Sequence, residues 1–421
     1  MTTDTQTPDG PPDAEETPGD PVTPLTEPAD GIPAVTTTAE GLAAAVAAIR
    51  AGTGPVAADA ERASGYRYGQ DTYLVQLRRR GSGTWLVDPR ELPDLSALSE
   101  AAGDAEWVLH AASQDLPGFA EHGLLPTTIF DTELASRLLG LERVGLGAVV
   151  AEILGLGLAK EHSAVDWSTR PLPESWLRYA ALDVEVLVDL RDELAARLDA
   201  AGKTEWAAQE FEHVRTMPPP APRVDPWRRT SGMHGLRDRR QLAVVRSLWE
   251  ARDLNARRRD IAPGRILPDR AIVAAARAMP RSVPALTALR EFSGRATKRR
   301  APQWQVAIDE ALALPDAELP STRGPRTDAP PPPRAWPDRN PEAAARLEAA
   351  RATVNAVAEE VTMPVENVVQ PSLLRAVCWT PPERLDADHL DEAFAAGGAR
   401  PWQRALVAEP LARAFAGLAG A

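Results

Sequence analysis

Pro55-Val-Ala-Ala-Asp-Ala-Glu61 ends an apolar run with two carboxylates one residue apart, and the reading of this stretch decides the fold. Side chains on a strand alternate faces with period two, so Asp59 and Glu61 point the same way while the small Ala60 turns aside. Two acids that converge in this way offer hard oxygen ligands to a divalent cation such as Mg²⁺ or Mn²⁺. The same spacing arises by chance in many chains, so the surrounding sequence decides what it means.

Working outward, Thr38 to Ile49 reads as an Ala-rich helix capped by Thr38, and Gly52 to Gly54 breaks it before the acid-bearing strand. Tyr73–Leu77 and Thr84–Asp88 follow as strands, joined by the basic turn Arg78 to Gly83. After a helix near Leu95 to Ala101, Glu106–His110 reads as a fourth strand. A meander that feeds into alternating strand and helix is an α/β domain with a mixed sheet. Beyond that strand, Ser113 is expected to cap a helix with Asp115 in its first turn, where the helix dipole favours an acid. The carboxyl end of a strand is also where α/β sheets place ligands. Phe130 starts an edge strand that turns into a helix capped by Asp131, and Leu146–Leu154 forms another helix. Gly145, Gly147, Gly155 and Gly157 read as helix stops. One long helix is expected from Glu174 to Ala200, with Pro173 at its start and Gly202 at its end. Tyr179 and Asp183 lie four residues apart on one face of it.

Composition sets wider bounds. At roughly 150 residues per domain, 421 residues make two or three domains. No stretch approaches the roughly 20 consecutive apolar residues of a membrane span, and the N-terminus lacks a secretory pattern, so a cytoplasmic location is expected. Cys378 is the sole cysteine, which excludes an internal disulfide and a cysteine-cluster zinc site. The net charge of -13 is a sum over regions of opposite sign. Residues 1–36 hold eight acids and no Lys or Arg and read as a disordered tail, whereas residues 227–301 hold nineteen Lys plus Arg against six acids. A segment that basic is a candidate polyanion-binding surface.

Asp59-Ala-Glu61 is followed by His110-Ala-Ala-Ser-Gln-Asp115, Phe130-Asp-Thr-Glu-Leu-Ala, Asp166-Trp-Ser-Thr-Arg-Pro-Leu172 and Tyr179-Ala-Ala-Leu-Asp183. In this order the chain resembles the DEDD superfamily of 3′-to-5′ exonucleases and, within it, the ribonuclease D family. The resemblance implies a ribonuclease H-like sheet, the tyrosine subgroup, and two divalent ions held by Asp59, Glu61, Asp115 and Asp183. It further implies that Tyr179 orients the attacking water and that 5′-mononucleotides leave one at a time from a free 3′ end. Arg62-Ala-Ser-Gly65 departs from the family, where the residue after the glutamate is often large and apolar.

The resemblance extends C-terminally. Ile261-Ala-Pro-Gly-Arg-Ile-Leu-Pro268 resembles the helical accessory domain shared by ribonuclease D and some helicases, the HRDC domain, whose usual role is nucleic-acid binding. Arg257, Arg258, Arg259, Lys298, Arg299 and Arg300 are the expected phosphate contacts. Met363-Pro-Val-Glu-Asn-Val-Val-Gln-Pro371 echoes that segment. The expected order is a disordered tail (1–36), an exonuclease domain (37–215), a Pro-rich linker (216–226), an HRDC domain (227–314), a second linker (315–340) and a second HRDC-like helical domain (341–421). The expected partner is RNA, such as the 3′ end of a transfer RNA precursor, acted on by a monomer without a membrane. A single-strand DNA exonuclease and a non-catalytic RNA-binding scaffold are the alternatives.

Overall fold

The computed structural model of the chain describes residues 22–158, 162, 164–219, 221–324 and 329–419. Eight strands occur among them: β1 (Thr23–Leu25), β2 (Val35–Thr36), β3 (Thr53–Arg62), β4 (Thr72–Arg80), β5 (Gly83–Val87), β6 (Trp107–Leu109), β7 (Ile129–Asp131) and β8 (Leu156–Leu158). Six of them form a mixed sheet in the order β2-β5-β4-β3-β6-β7, and β1 pairs with β8 apart from it. The acid-bearing β3 is central, antiparallel to β4 and parallel to β6. It is therefore where the meander gives way to parallel pairing. Among the helices, α1 (Ala39–Ala51), α2 (Ser96–Ala102), α3 (Leu116–Glu121), α4 (Thr132–Leu138) and α5 (Leu146–Leu154) are interleaved with the strands. Then come α6 (Glu174–Glu185), α7 (Leu187–Ala200) and α8 (Thr204–Thr216). Period two divides the sheet as expected. Val75, Leu77 and Val87 join the large core, while Leu74 and Leu86 pack with Trp167 and Ala180 on the other face.

Three expectations need correction. The predicted disordered tail is ordered from residue 22 on, because its acids find arginines: Glu27 pairs with Arg178 at 2.9 Å and Asp30 with Arg78 at 2.7 Å. Residues 1–21, which carry most of its charge, lie outside the described residues. The single helix expected over Glu174–Ala200 is two, parted at Val186. The halves have different neighbours, since α6 packs on β3, β4 and β5 whereas α7 packs on β3, β6, α4 and α5. Gly145 starts α5 rather than stopping a helix, and Gly155 ends it in the left-handed conformation.

The basic region builds its own core from α9 (Arg239–Arg259), α10 (Pro263–Ile266), α11 (Asp269–Ala278), α12 (Val283–Thr287), α13 (Arg295–Arg299) and α14 (Ala301–Ala313), with Trp304, Leu248 and Ile272 at its centre. The last unit comprises α15 (Trp336–Arg339), α16 (Pro341–Glu360), α17 (Val365–Val368), α18 (Pro371–Trp379), α19 (Ala387–Ala396) and α20 (Pro401–Ala419). It shares one continuous core with the sheet domain. Trp206 stacks on Trp402 at 5.0 Å, Arg400 pairs with the buried Glu210 at 2.6 Å, and Lys203 donates to Leu138 and Val361 carbonyls at 2.6 Å each. The second expected linker is tied down at both ends. Arg239 donates to the Leu319 and Pro320 carbonyls, and Trp336 is fully buried. Residues 325–328 lie outside the described residues.

The echo between the two helical units is visible in the backbone. Asp260 and Thr362 are both left-handed at φ 49°, and α10 and α17 follow each with the same pattern of bonds. Ile261 N–H donates to Ala256 O at 3.1 Å, and Met363 N–H donates to Ala358 O at 3.0 Å.

Candidate active site

On β3, Asp59 lies opposite Gln76 and Glu61 opposite Leu74, so both acids face α6. Helix α6 returns Asp183 to the same place. One carboxylate oxygen from each of Asp59, Glu61 and Asp183 lies within 4.8 Å of the others. These acids, together with Arg62, His110, Gln114, Asp115 and Tyr179, line a cleft of about 470 Å³. Burial raises the pKa of every one of the four acids from its ordinary value, and well above it at Glu61, Asp115 and Asp183. The charge of Asp59 adds to the rise at Glu61, Asp115 and Asp183. Anionic oxygens held this close in a half-dry cleft repel one another until a cation arrives. A donor set made of carboxylates fits a hard divalent ion, and dependence on a divalent metal follows from it.

Tyr179 sits one turn before Asp183 and donates its hydroxyl to that carboxylate. Burial, then the charges of Asp183 and Glu61, raise the phenol pKa, so Tyr179 stays protonated and serves as a hydrogen-bond donor. Its ring is set by the segment Asp166–Leu172: Trp167 is fully buried 6.4 Å from it and packs on Trp176 at 5.4 Å. Arg170 fixes that segment by a 2.7 Å pair with the buried Asp88 and by donating to the Tyr73 carbonyl at 2.8 Å. His162 adds an edge-on ring 6.1 Å from Tyr179. Its flanking residues Lys160, Glu161 and Ser163 lie outside the described residues.

Asp115 reaches the cleft by a different route from the one expected. Ser113 caps nothing; Ala111 is left-handed, Ala112–Gln114 form a single 3-10 turn, and the Asp115 side chain makes no capping bond to α3. Asp131 does cap α4, and its carboxylate also accepts the N–H groups of Ala111 at 3.1 Å and Ala112 at 2.8 Å. Burial raises Asp131 to about 6. It thus braces the turn that delivers Asp115 from the neighbouring strand end. His110 packs beside it, with Nδ1 2.9 Å from Thr132 Oγ1 and its pKa lowered to about 4 by burial.

Two residues of the site were not anticipated. The register of β3 against β4 shifts between Glu61 and Arg62, an irregularity that re-aims a side chain. Arg62 consequently lines the cleft, donating to the Gln114 carbonyl and standing 3.5 Å from Asp115. Gln76, opposite Asp59, is fully buried, and among the described residues neither of its amide atoms has a hydrogen-bond partner. The lone amide in the otherwise apolar run Tyr73-Leu-Val-Gln-Leu77 was the available signal for it.

The six expected phosphate contacts are divided by the structure. Arg259, Arg299 and Arg300 come together, and burial followed by the charges of Arg259 and Arg299 lowers the pKa of Arg300. Arg258 and Lys298 are exposed. Arg257 is engaged elsewhere: its guanidinium lies over the Tyr68 ring and donates to the Tyr68 hydroxyl at 3.1 Å. It belongs to a seam in which Ala262 N–H donates to Tyr66 O at 2.9 Å and Arg265 to Gly65 O at 2.7 Å. The loop after the acid strand therefore carries the basic unit.

Comparison with known proteins agrees with this layout. Residues 33–199 match a family model described as 3′-5′ exonuclease, residues 241–308 the HRDC domain, and residues 329–415 a 3′ to 5′ exonuclease C-terminal domain. Ribonuclease D of Gluconacetobacter diazotrophicus is 34% identical over 275 residues, which is 63% of this chain and 68% of that protein. Ribonuclease D of Escherichia coli K12 is 31% identical over 273 residues, 63% of this chain and 71% of that protein. The crystal structure of Escherichia coli ribonuclease D, an exoribonuclease involved in structured RNA processing, superposes with a TM-score of 0.61 at 27% identity. It covers 82% of this chain and 91% of its own. A protein from Bifidobacterium adolescentis superposes with a TM-score of 0.85 at 40% identity, covering 94% of this chain and all of its own. No helix among the described residues is long and apolar enough to cross a membrane. Because the agreement runs from the acid-bearing strand through the basic helices and over more than two thirds of both ribonucleases D, the chain belongs to the ribonuclease D family of 3′-to-5′ exoribonucleases.

Proposed function

We propose that this exoribonuclease trims the 3′ ends of structured RNA, such as transfer RNA precursors, in the cytoplasm, as a monomer, releasing 5′-mononucleotides. The observation that carries the reading is the meeting of Asp59, Glu61 and Asp183 within 4.8 Å, with Tyr179 bonded to Asp183 in a cleft that Asp115 also lines. Asp59, Glu61 and Asp183 would hold one Mg²⁺ or Mn²⁺, and Asp59 with Asp115 a second. Such an ion pair supplies an activated water and neutralises charge on the attacking and leaving oxygens of an in-line displacement. Tyr179, protonated and fixed by Trp167 and Trp176, orients the water by a hydrogen bond rather than accepting its proton. His110, neutral above about pH 4, adds no positive charge that would compete for the acids. Arg259, Arg299 and Arg300 would hold the backbone of the RNA body without reading its sequence.

The test is degradation of a 3′-extended transfer RNA labelled at its 5′ end, with Mg²⁺ or Mn²⁺, beside the DNA strand of the same sequence. The expected result is a ladder shortening one nucleotide at a time, absent in EDTA and in Asp59→Asn. Faster loss of the DNA strand would overturn the RNA assignment, and binding without shortening under either metal would return the chain to an RNA-binding scaffold.

A further inference from the structure

We propose that Arg62 is a built-in counter-ion that holds Asp115 in the ion-free enzyme and competes with the second divalent cation for it. This rests on the two-ion reading above. Three of the four acids draw together tightly enough to share an ion, and Asp115 is not among them. Asp115 instead faces the Arg62 guanidinium at 3.5 Å, and Arg62 also donates to the carbonyl of the adjacent Gln114. Both partners are shielded, with side-chain exposures of 19% and 6%, so solvent screens the pair weakly. The register shift after Glu61 is what turns Arg62 into the cleft from a position that would otherwise face away from its neighbour.

One cation therefore already pairs with the carboxylate the second ion needs, whereas among the described residues no arginine forms an ion pair with the converging Asp59, Glu61 and Asp183 oxygens, and the Arg62 charge reaches Asp59 and Glu61 only as the last of several influences. The two ions bind with unequal strength. The first enters a preformed set of carboxylates; the second has to displace a guanidinium. Arg62 is thus a positioning residue that sets how much metal the enzyme needs. A large apolar residue there, as is common in the family, could not do this.

The experiment is titration of Mn²⁺ into the EDTA-stripped full chain without RNA, followed by calorimetry, for wild type, Arg62→Met, Arg62→Lys and Asp115→Asn. Expected are one tight and one weak ion in wild type, the weak step strengthened about fivefold in Arg62→Met, the upper end of what a charge pair reached by solvent is worth. The tight step should persist and strengthen less than the weak one, since the Arg62 charge also reaches Asp59 and Glu61, and its presence reports an intact fold. Arg62→Lys, which keeps the charge, should behave as wild type, and Asp115→Asn should lose the weak step. A weak step within twofold of wild type in Arg62→Met, or one that survives Asp115→Asn, overturns the proposal. Absence of any Mn²⁺ uptake by wild type overturns the two-ion reading itself, and is distinguishable because no variant is needed to see it.

Discussion

Asp183→Asn should make the ion-free protein more stable and the enzyme inactive. Asparagine keeps the shape of the side chain and an oxygen to accept the Tyr179 hydroxyl, and removes only charge. The Asp183 oxygen lies within 4.8 Å of those of Asp59 and Glu61, and like charges at that distance repel by roughly 3.5 kcal/mol per ionised pair at an effective dielectric constant near 20. Burial raises the folded pKa of all four acids, and the charge of Asp59 adds to the rise at the other three. A raised folded pKa contributes stability that is complete below the ordinary carboxylate range, about pH 4, and is lost as pH climbs through the raised values. The gain from Asp183→Asn should therefore be near zero at pH 4–5 and grow with pH. It should reach about 3 kcal/mol by pH 9, a rise of roughly 5–10 °C in Tm. The assay is thermal unfolding in EDTA across that range. Mn²⁺ at a thousand times its Kd should reverse the order, since an ion at that excess adds about 4.1 kcal/mol to whichever protein binds it. Turnover should fall at least 10²-fold, the scale for losing one electrostatic stabiliser. A variant that melts with wild type in EDTA at every pH would refute the reasoning that these acids repel.

Three other outcomes are expected. Tyr179→Phe should lower kcat about 10²-fold with KM for RNA unchanged and no new pH dependence between 6 and 9, because the lost group orients water and does not titrate there. Gln76→Leu, which replaces a buried amide lacking partners by a side chain of similar size, should raise ion-free stability by about 1 kcal/mol in denaturant titration. Arg400→Met leaves Glu210 charged and buried against the Trp402 indole, and should cost about 3 kcal/mol, read as a drop in unfolding midpoint with the sheet and last helical unit melting together.

The acid pair on β3 was legible because alternation along a strand is local, and the Tyr179–Asp183 pair because four residues make one helical turn. Asp115 was legible as a candidate but its geometry was not: the turn that presents it is left-handed at Ala111 and is held by Asp131, a residue of the next strand. Arg62 reads as facing away from Glu61 until the register shift is known, and that shift depends on β4. The break at Val186 has no proline or glycine to announce it and follows from the different neighbours of α6 and α7. Arg257 looked like any other member of an arginine run, since only the approach of Tyr68 sets it apart.

The apolar core common to the sheet domain and the last helical unit has a consequence during synthesis. Helix α8 and its Trp206 are complete long before α20 brings Trp402 to cover them, and residues 217 to 400 must be translated in between. At about 5–20 residues per second that leaves the nascent nuclease with an open apolar face for several seconds or more. The basic unit, which closes its own core, folds in that interval. A chain truncated after α8 would be left permanently in this state, and would be recognised by chaperones as unfinished rather than behaving as a minimal nuclease.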